Sequence, residues 1–170
     1  MGVSCAVITS AYGRQSQGTV RLHLLDLPVS QYGVDMADHT DDLRLAHILA
    51  DDADSLTMSR FGARDLTVST KPDHSEVTDA DLAVEDSVRR TLSRMRSRDA
   101  VHGEERADTG DGPRRWIIDP IDGTANFLRG VPVWATLIAL SVEDQIVASV
   151  VSAPALKRRS VSYTHLTLPT

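Results

Sequence analysis

Two aspartates with two residues between them directly follow a short apolar run in the second half of the chain. Residues 116–118 are aromatic and β-branched, as buried strands are, and Asp119 and Asp122 follow within four residues. Two carboxylates in one small space repel each other unless a cation lies between them. Hard oxygen ligands with room for water suit Mg²⁺. The spacing therefore predicts a magnesium site at the end of a strand.

A sharp turn and a short helix are expected after these aspartates. Pro120 lacks a backbone donor, so strand pairing should end there, and Gly123 permits a tight turn. Residues 126–128 resemble one helical turn, so the N–H groups of Gly123 and Thr124 would open a helix and favour an anion such as phosphate. Carboxylates beside a phosphate site predict metal-assisted phosphoester chemistry. Either Asp-Pro or Asp-Gly alone would be read as an ordinary turn.

The segment 116–124 resembles the metal-binding signature of the inositol monophosphatase family. Two further acidic motifs precede it in the family's order, Gly-Glu-Glu at 103–105 and Val-Thr-Asp-Ala-Asp at 77–81. Downstream, residues 126–136 and 151–156 are most similar to the histidinol-phosphatase branch. The resemblance covers about residues 41–159, and three motifs in order are far more specific than any one of them.

The resemblance implies a set of metal ligands. Glu104, Asp119, the carbonyl of Ile121 and Asp122 would coordinate Mg²⁺, with Asp119 bridging two ions. Without the family, Glu104 and Glu105 would read as a solvated pair. Within it, Glu104 is the ligand and Glu105 a neighbouring or solvent-facing residue.

The same resemblance assigns catalytic and phosphate-binding groups. Glu104 and the Thr124 hydroxyl would position the attacking water, and the N–H groups of Gly123 and Thr124 would bind phosphate. Asp81 would lie near the metals as a further or water-mediated ligand. From the residues alone, Asp81 could equally be the acid of a helix capping box that begins at Thr78. Lys71 is similar to a loop lysine that the family keeps near the site.

The elements that position these residues can be read from hydrophobic periodicity. Residues 41–61 and a stretch beginning at Thr78 predict amphipathic helices, the second with a stripe of Leu82, Val88, Leu92 and Met95. Residues 66–69 and 100–102 are strand candidates, and 135–142 and 146–152 predict an antiparallel hairpin. The predicted fold is α+β, two helices on an antiparallel sheet. By resemblance this is the N-terminal half of a layered α/β/α/β/α sandwich.

Composition limits the classes of function. The chain has 170 residues, 41% hydrophobic and 25% charged, with a net charge of −6, so we expect no nucleic-acid partner. One cysteine excludes an intrachain disulfide framework, and no apolar run reaches membrane length. We expect a cytoplasmic protein that acts on a small phosphorylated metabolite, with no membrane partner and a possible homodimer in the full-length form.

The two ends of the chain differ from the middle. Residues 1–35 match no part of the family pattern, and Met36 precedes a natural helix start, so the native start is expected at Met36. The family-like domain is expected over 36–159. Residues 160–170 are interpreted as a non-native tail, and the family's second half, with a further metal-binding aspartate, as absent.

The leading hypothesis is a Mg²⁺-dependent phosphomonoesterase, most similar to histidinol-phosphatase and so expected in histidine biosynthesis. Alternatives are an inositol-phosphate or nucleotide 3′-phosphatase, or an inactive metal- and phosphate-binding fragment. A phospho-aspartate mechanism is disfavoured, because that chemistry uses two aspartates separated by a single residue. Here two residues, Pro120 and Ile121, separate them.

Overall fold

The computed structural model describes residues 39–72 and 74–163. All of them belong to one compact unit that begins at Asp38. The expectations for residues 1–35, and for the part of the tail beyond Tyr163, lie outside the described residues.

Two long helices form where periodicity predicts them. Helix α1 spans Thr40–Arg60 and buries Leu45 and Leu49, and α2 spans Asp79–Met95. The predicted capping box is confirmed: the Thr78 hydroxyl accepts the N–H groups of Ala80 and Asp81, and the Asp81 carboxylate accepts that of Thr78. The predicted stripe is partly wrong. Met95 is exposed and Leu82 half-buried, and the buried face of α2 includes two carboxylates. That face comprises Ala80, Asp81, Val84, Glu85, Val88 and Leu92.

In the described part of the chain, seven strands form two sheets. They are β1 (Val68–Thr70), β2 (Glu76–Thr78), β3 (Ala100–Gly103), β4 (Arg114–Asp122), β5 (Ala135–Val142), β6 (Gln145–Ala153) and β7 (Arg158–Tyr163). Strands β1 and β2 pair alone, and the others form a five-stranded sheet in the order β3-β4-β5-β6-β7. Helix α3 (Thr124–Leu128) follows β4, and a 3₁₀ turn (Pro154–Leu156) precedes β7. The β5–β6 hairpin is confirmed.

The expectation of a wholly antiparallel sheet is wrong at one edge. Strand β3 runs parallel to β4, with Gly103 opposite Ile118. Residues 104–113 bring the chain back along the edge of β3, where Thr109 bridges Val101, so β4 restarts in the direction of β3. Helices on a sheet remain the correct architecture.

Strand β4 also continues further than Pro120 suggests. Asp119 lies opposite Leu137 and Asp122 opposite Ala135, with a shift of register between the two pairs. Proline is tolerated at such an irregularity because its missing donor falls where the ladder is already interrupted. Pairing is thus interrupted at Pro120 and resumes at Asp122.

Two hydrophobic clusters support the sheet. The larger packs α1 and α2 on one face of the sheet around fully buried Trp116. The smaller lies under the turn after β4 and contains Ile121, Phe127 and Trp134, with Phe61 packed against them. Its rings lie 5.0–5.6 Å apart. Trp134 is therefore a packing residue. Within the described ranges, no helix is both long and apolar enough to cross a membrane.

Candidate active site

The parallel pair β3–β4 brings the first two predicted ligands together. Gly103 and Ile118 are partners across the two strands, so Glu104 and Asp119, one residue further on each, lie side by side at the end of this strand pair. An antiparallel β3 would have placed Glu104 at the opposite end of β4. The parallel pairing of β3 with β4, which the sequence did not reveal, thus brings together the motifs at 103–105 and 116–124.

Asp119 lies at the centre of an acidic cluster. Burial and the nearby Glu104, Asp122 and Asp81 carboxylates raise the pKa of Asp119 to about 8. Burial and the charge of Glu104 also raise the pKa of Asp122. Four of the predicted site residues therefore share one electrostatic environment, in which the charge of Glu104 makes ionisation of Asp81, Asp119 and Asp122 less favourable.

Asp81 caps α2 with one carboxylate oxygen and turns the other toward Thr124, while its role near the metals stays a prediction. One carboxylate oxygen, Oδ2, accepts the N–H and the hydroxyl of Thr78 at 2.8 and 2.5 Å, which caps α2. The other, Oδ1, lies 3.4 Å from the Thr124 hydroxyl, on the site side. Burial raises the pKa of Asp81, despite the bonds from Thr78. The helix cap and the site are therefore built from the same side chain.

The turn after β4 is held from both sides. Gly123 has a φ of 92°, and a Cβ there would lie 3.1 Å from the Val133 carbonyl oxygen, so both conformation and space favour glycine. The Thr124 hydroxyl donates to the Ile121 carbonyl at 3.0 Å, and the buried Thr136 hydroxyl donates to the Pro120 carbonyl at 2.7 Å. Thr124 is thus bonded to one predicted ligand carbonyl and faces Asp81. The phosphate-binding role of the Gly123 and Thr124 N–H groups stays a prediction.

Lys71 supplies the positive charge next to this cluster. Its ammonium group bonds Glu104 Oε1 at 2.8 Å and Glu105 Oε1 at 2.7 Å. Burial opposes the charged form, but the two glutamates outweigh it and raise the pKa of Lys71 to about 12. The Glu105 side chain is only 4% exposed, so it is no solvent-facing residue. Burial, opposed by Lys71, raises its pKa.

The donor set fits a hard divalent cation. Asp119 Oδ1 is buried and has no hydrogen-bond partner, in a cluster whose neighbours are also carboxylates. A cation would satisfy that oxygen and remove the repulsion. As the side chains stand, however, no three His, Cys, Asp or Glu residues in the described part of the chain are arranged to hold one ion. The Glu104 carboxylate is instead paired with the Lys71 ammonium group.

One buried acid near the site was missed by the sequence interpretation. Glu85 accepts the backbone N–H groups of Glu105 and Arg106, directly after the predicted ligand Glu104. A signal existed, because Glu85 is four residues after Asp81 and must share its helix face. Glu85 was not selected, because a glutamate in the middle of a helix is usually solvated.

The fold and the site define an α+β protein with clustered carboxylates at the end of a parallel strand pair. The chain belongs to the inositol monophosphatase family, whose model matches residues 39–165.

The more similar relatives agree with the predicted branch. The chain is 62% identical over 128 residues to a histidinol-phosphatase of Streptomyces coelicolor, covering 73% of this chain and 48% of that protein. It is 61% identical over 120 residues to a histidinol-phosphatase of Mycobacterium tuberculosis, covering 70% and 46%. The chain thus spans about half the length of the curated relatives it matches. The crystal structure of the extragenic suppressor protein suhB from Bartonella henselae superposes with a TM-score of 0.70 at 31% identity, over 73% of this chain and 49% of that one.

Proposed function

We propose that this chain contributes to a Mg²⁺-dependent phosphomonoesterase that converts histidinol phosphate to histidinol. The observation that carries the proposal is the acidic cluster around Asp119, with a buried carboxylate oxygen that lacks a partner. The substrate is inferred from the two histidinol-phosphatases to which the chain is 61–62% identical.

Glu104, Asp119, the Ile121 carbonyl and Asp122 are the residues that would hold Mg²⁺. A bound ion there would lower the pKa of a water molecule and stabilise the leaving oxygen. Glu104 and the Thr124 hydroxyl would orient the attacking water, and Asp81 would restrain that hydroxyl from the opposite side. The N–H groups of Gly123 and Thr124 would bind the phosphoryl oxygens. Uncatalysed phosphomonoester hydrolysis is so slow that enzymes supply up to ~10²¹-fold, which requires several such groups together.

The proposal is tested by phosphate release from histidinol phosphate and from inositol 1-phosphate, with and without Mg²⁺. The chain is assayed alone and joined to the part of the Streptomyces coelicolor relative that the match does not cover. We expect Mg²⁺-dependent release from the extended protein, faster with histidinol phosphate. Faster release from inositol 1-phosphate would move the substrate to the inositol-phosphate class. No release from either by a folded, extended protein would overturn the proposed activity.

A further inference from the structure

Glu85 is a deeply buried carboxylate that the proposed chemistry does not use. Its residue is 0% exposed, and it lies on α2 one turn beyond Asp81, on the same face of the helix. A buried carboxylate is costly unless its oxygens accept strong hydrogen bonds. The donors that surround Glu85 therefore indicate what this position does.

Two of those donors are consecutive backbone groups. Glu85 Oε2 accepts the N–H of Glu105 at 2.7 Å, and Oε1 accepts the N–H of Arg106 at 3.1 Å. Both groups belong to the bend that begins at Glu104. One carboxylate thus fixes the direction of the backbone directly after the proposed metal ligand.

The residue before Glu104 packs on the same carboxylate. A Cβ on Gly103 would lie 2.0 Å from Glu85 Oε1 and 2.4 Å from its Cδ, so any side chain there would displace the Glu85 carboxylate. Gly103 is also the last residue of β3, paired with Ile118. Glu104 is therefore held on both sides by contacts to Glu85.

Arg89, one turn further along α2, completes the arrangement. Its Nε donates to Glu85 Oε1 at 2.8 Å, which balances the buried charge. Its other nitrogens donate to the Thr109 hydroxyl at 3.2 Å and the Arg106 carbonyl at 3.3 Å. The Glu85–Arg89 pair thus binds the loop after Glu104 at its start and again at Thr109.

We propose that Glu85 is a positioning residue for the metal-binding carboxylate of Glu104. By holding residues 103–106 against α2, it sets where the Glu104 side chain stands relative to Asp119. Because α2 also supplies Asp81, one helix face places two acidic groups of the site. The inference rests on the metal role of Glu104 under the proposed function. Partners that orient metal ligands typically change metal affinity or activity by about 10–100-fold when removed.

Glu85→Gln is the discriminating variant, because it keeps the shape but turns an N–H₂ group toward N–H donors. In the metal-free protein, we expect faster amide exchange at Glu105 and Arg106. We also expect Mn²⁺ binding, followed by electron paramagnetic resonance, to weaken by about 10-fold or more. In the extended protein, the Mg²⁺ concentration for half-maximal phosphate release should rise by a similar factor. KM for the phosphomonoester at saturating Mg²⁺ should stay within about twofold, because Glu85 is fully buried and therefore out of reach of a bound substrate.

Asp86→Asn is the matched control. Asp86 is the next residue on α2 and contacts the same loop, but through the Arg106 side chain at 2.8 and 3.0 Å, and this pair is substantially exposed. Exposed pairs contribute little. Amide exchange at Glu105, Mn²⁺ affinity and Mg²⁺ activation should match those of the parent protein.

The outcomes separate this inference from the proposed function. Parent-like Mn²⁺ affinity in folded Glu85→Gln protein would overturn the positioning role and leave the metal site standing. A parent protein that binds no Mn²⁺, alone or extended, would overturn the metal role of Glu104 itself. If Glu85→Gln does not fold, Glu85→Asp keeps the charge beside Arg89 with a shorter reach. Unchanged Mn²⁺ affinity in that variant would equally contradict the proposal.

Discussion

At the scale of single residues, Asp119 is the site residue whose burial is least favourable for the stability of the metal-free fold. Its carboxyl is buried, has one oxygen without a hydrogen-bond partner and lies among three other acids. A group of this kind destabilises the fold unless something bound to it compensates. Stability and function are therefore expected to oppose each other at this position.

Replacing Asp119 by Asn should reveal that opposition. In the metal-free protein at pH 7, Asp119→Asn should raise the free energy of unfolding by about 1–2 kcal/mol, because the Asp119 carboxyl, whose folded pKa is raised to about 8, must take up a proton on folding and an amide need not. The same change should abolish stabilisation by Mg²⁺ and, in the extended protein, phosphate release. Thermal unfolding with and without Mg²⁺ measures both effects.

Asp111→Asn is the control for Asp119→Asn, since Asp111 is exposed in the loop before β4. It should change neither stability nor the response to Mg²⁺. A destabilised Asp119→Asn protein that still gains stability from Mg²⁺ would contradict the assignment of Asp119 as a ligand.

Much of the residue-scale interpretation could be made from sequence because it depends on local motifs. Asp119, Asp122 and the Gly123 turn are fixed by neighbours in the chain, and the structure brings Asp81 and Glu104 to the same cluster. Glu85 was not predictable in this way. Its role depends on Glu105 and Arg106, which approach it only after β3 has paired with β4.

At the scale of elements, α1 is joined to the sheet by a buried ion-pair network. Asp42 on α1 accepts hydrogen bonds from His39, from Arg96 after α2 and from Arg114 at the start of β4. Burial acts to raise the pKa of Asp42, but these three partners outweigh it and lower the pKa. Asp42 thus links three elements through one ionised carboxylate.

The lowered pKa of Asp42 gives a pH-dependent stability. A carboxyl whose folded pKa is below its unfolded value of about 3.9 stabilises the fold above that pH, and loses this contribution as pH falls through the folded pKa. Asp42→Asn should therefore cost about 1–3 kcal/mol at pH 7, with a smaller difference from the parent at pH 3. Urea unfolding at the two pH values measures the difference.

The neighbouring Asp41→Asn is the matched control for Asp42. Asp41 pairs only at the surface with Arg44, where both side chains are more than 70% exposed. Its replacement should change the free energy of unfolding by less than about 0.5 kcal/mol at either pH. An Asp42→Asn deficit that persists unchanged at pH 3 would contradict the role given to Asp42.

Element boundaries followed from the sequence where the signal is local. The Thr78 cap and the β5–β6 hairpin depend on residues close in the chain, and both are confirmed. The direction of β3 could not be inferred, because residues 104–113 show no pattern that distinguishes a return path from a hairpin. The continuation of β4 past Pro120 depends on its partner Ala135, which a single strand does not reveal.

At the scale of the whole molecule, the two hydrophobic clusters each contain one of the two tryptophans in the chain. Trp116 lies in the larger cluster, where its indole N–H donates to Asp99 at 2.9 Å. Trp134 lies under the turn after β4, and its indole N–H is buried without a hydrogen-bond partner. The turn after β4 therefore rests on the smaller cluster, while β3 and β4, which carry Glu104 and Asp119, pack in the larger one.

This division makes the tryptophans separate reporters. In Trp116→Phe protein, Mg²⁺ should still change the fluorescence, because Trp134 packs beside the Ile121 and Phe127 that flank the proposed site. In Trp134→Phe protein, the change should be lost while Trp116 continues to report unfolding. A Mg²⁺ response confined to Trp116 would show that the ion binds elsewhere.

The loop between Glu104 and Arg114 has a practical consequence for anyone labelling or comparing these proteins. Arg89 and Val101 both hold Thr109, and the Pro113 carbonyl accepts the N–H of Glu143, so the exposed residues 110–112 lie between two anchored points. The Glu104 and Asp119 carboxylates are positioned by the pairing of β3 with β4 and not by the length of this loop. A fluorophore or short peptide tag inserted between Gly110 and Gly112 would therefore stand beside Asp99 and Ala100, at the end of β3 and β4 opposite Glu104 and Asp119, and should not displace those two carboxylates. Natural variation in length among homologues should accumulate at the same point.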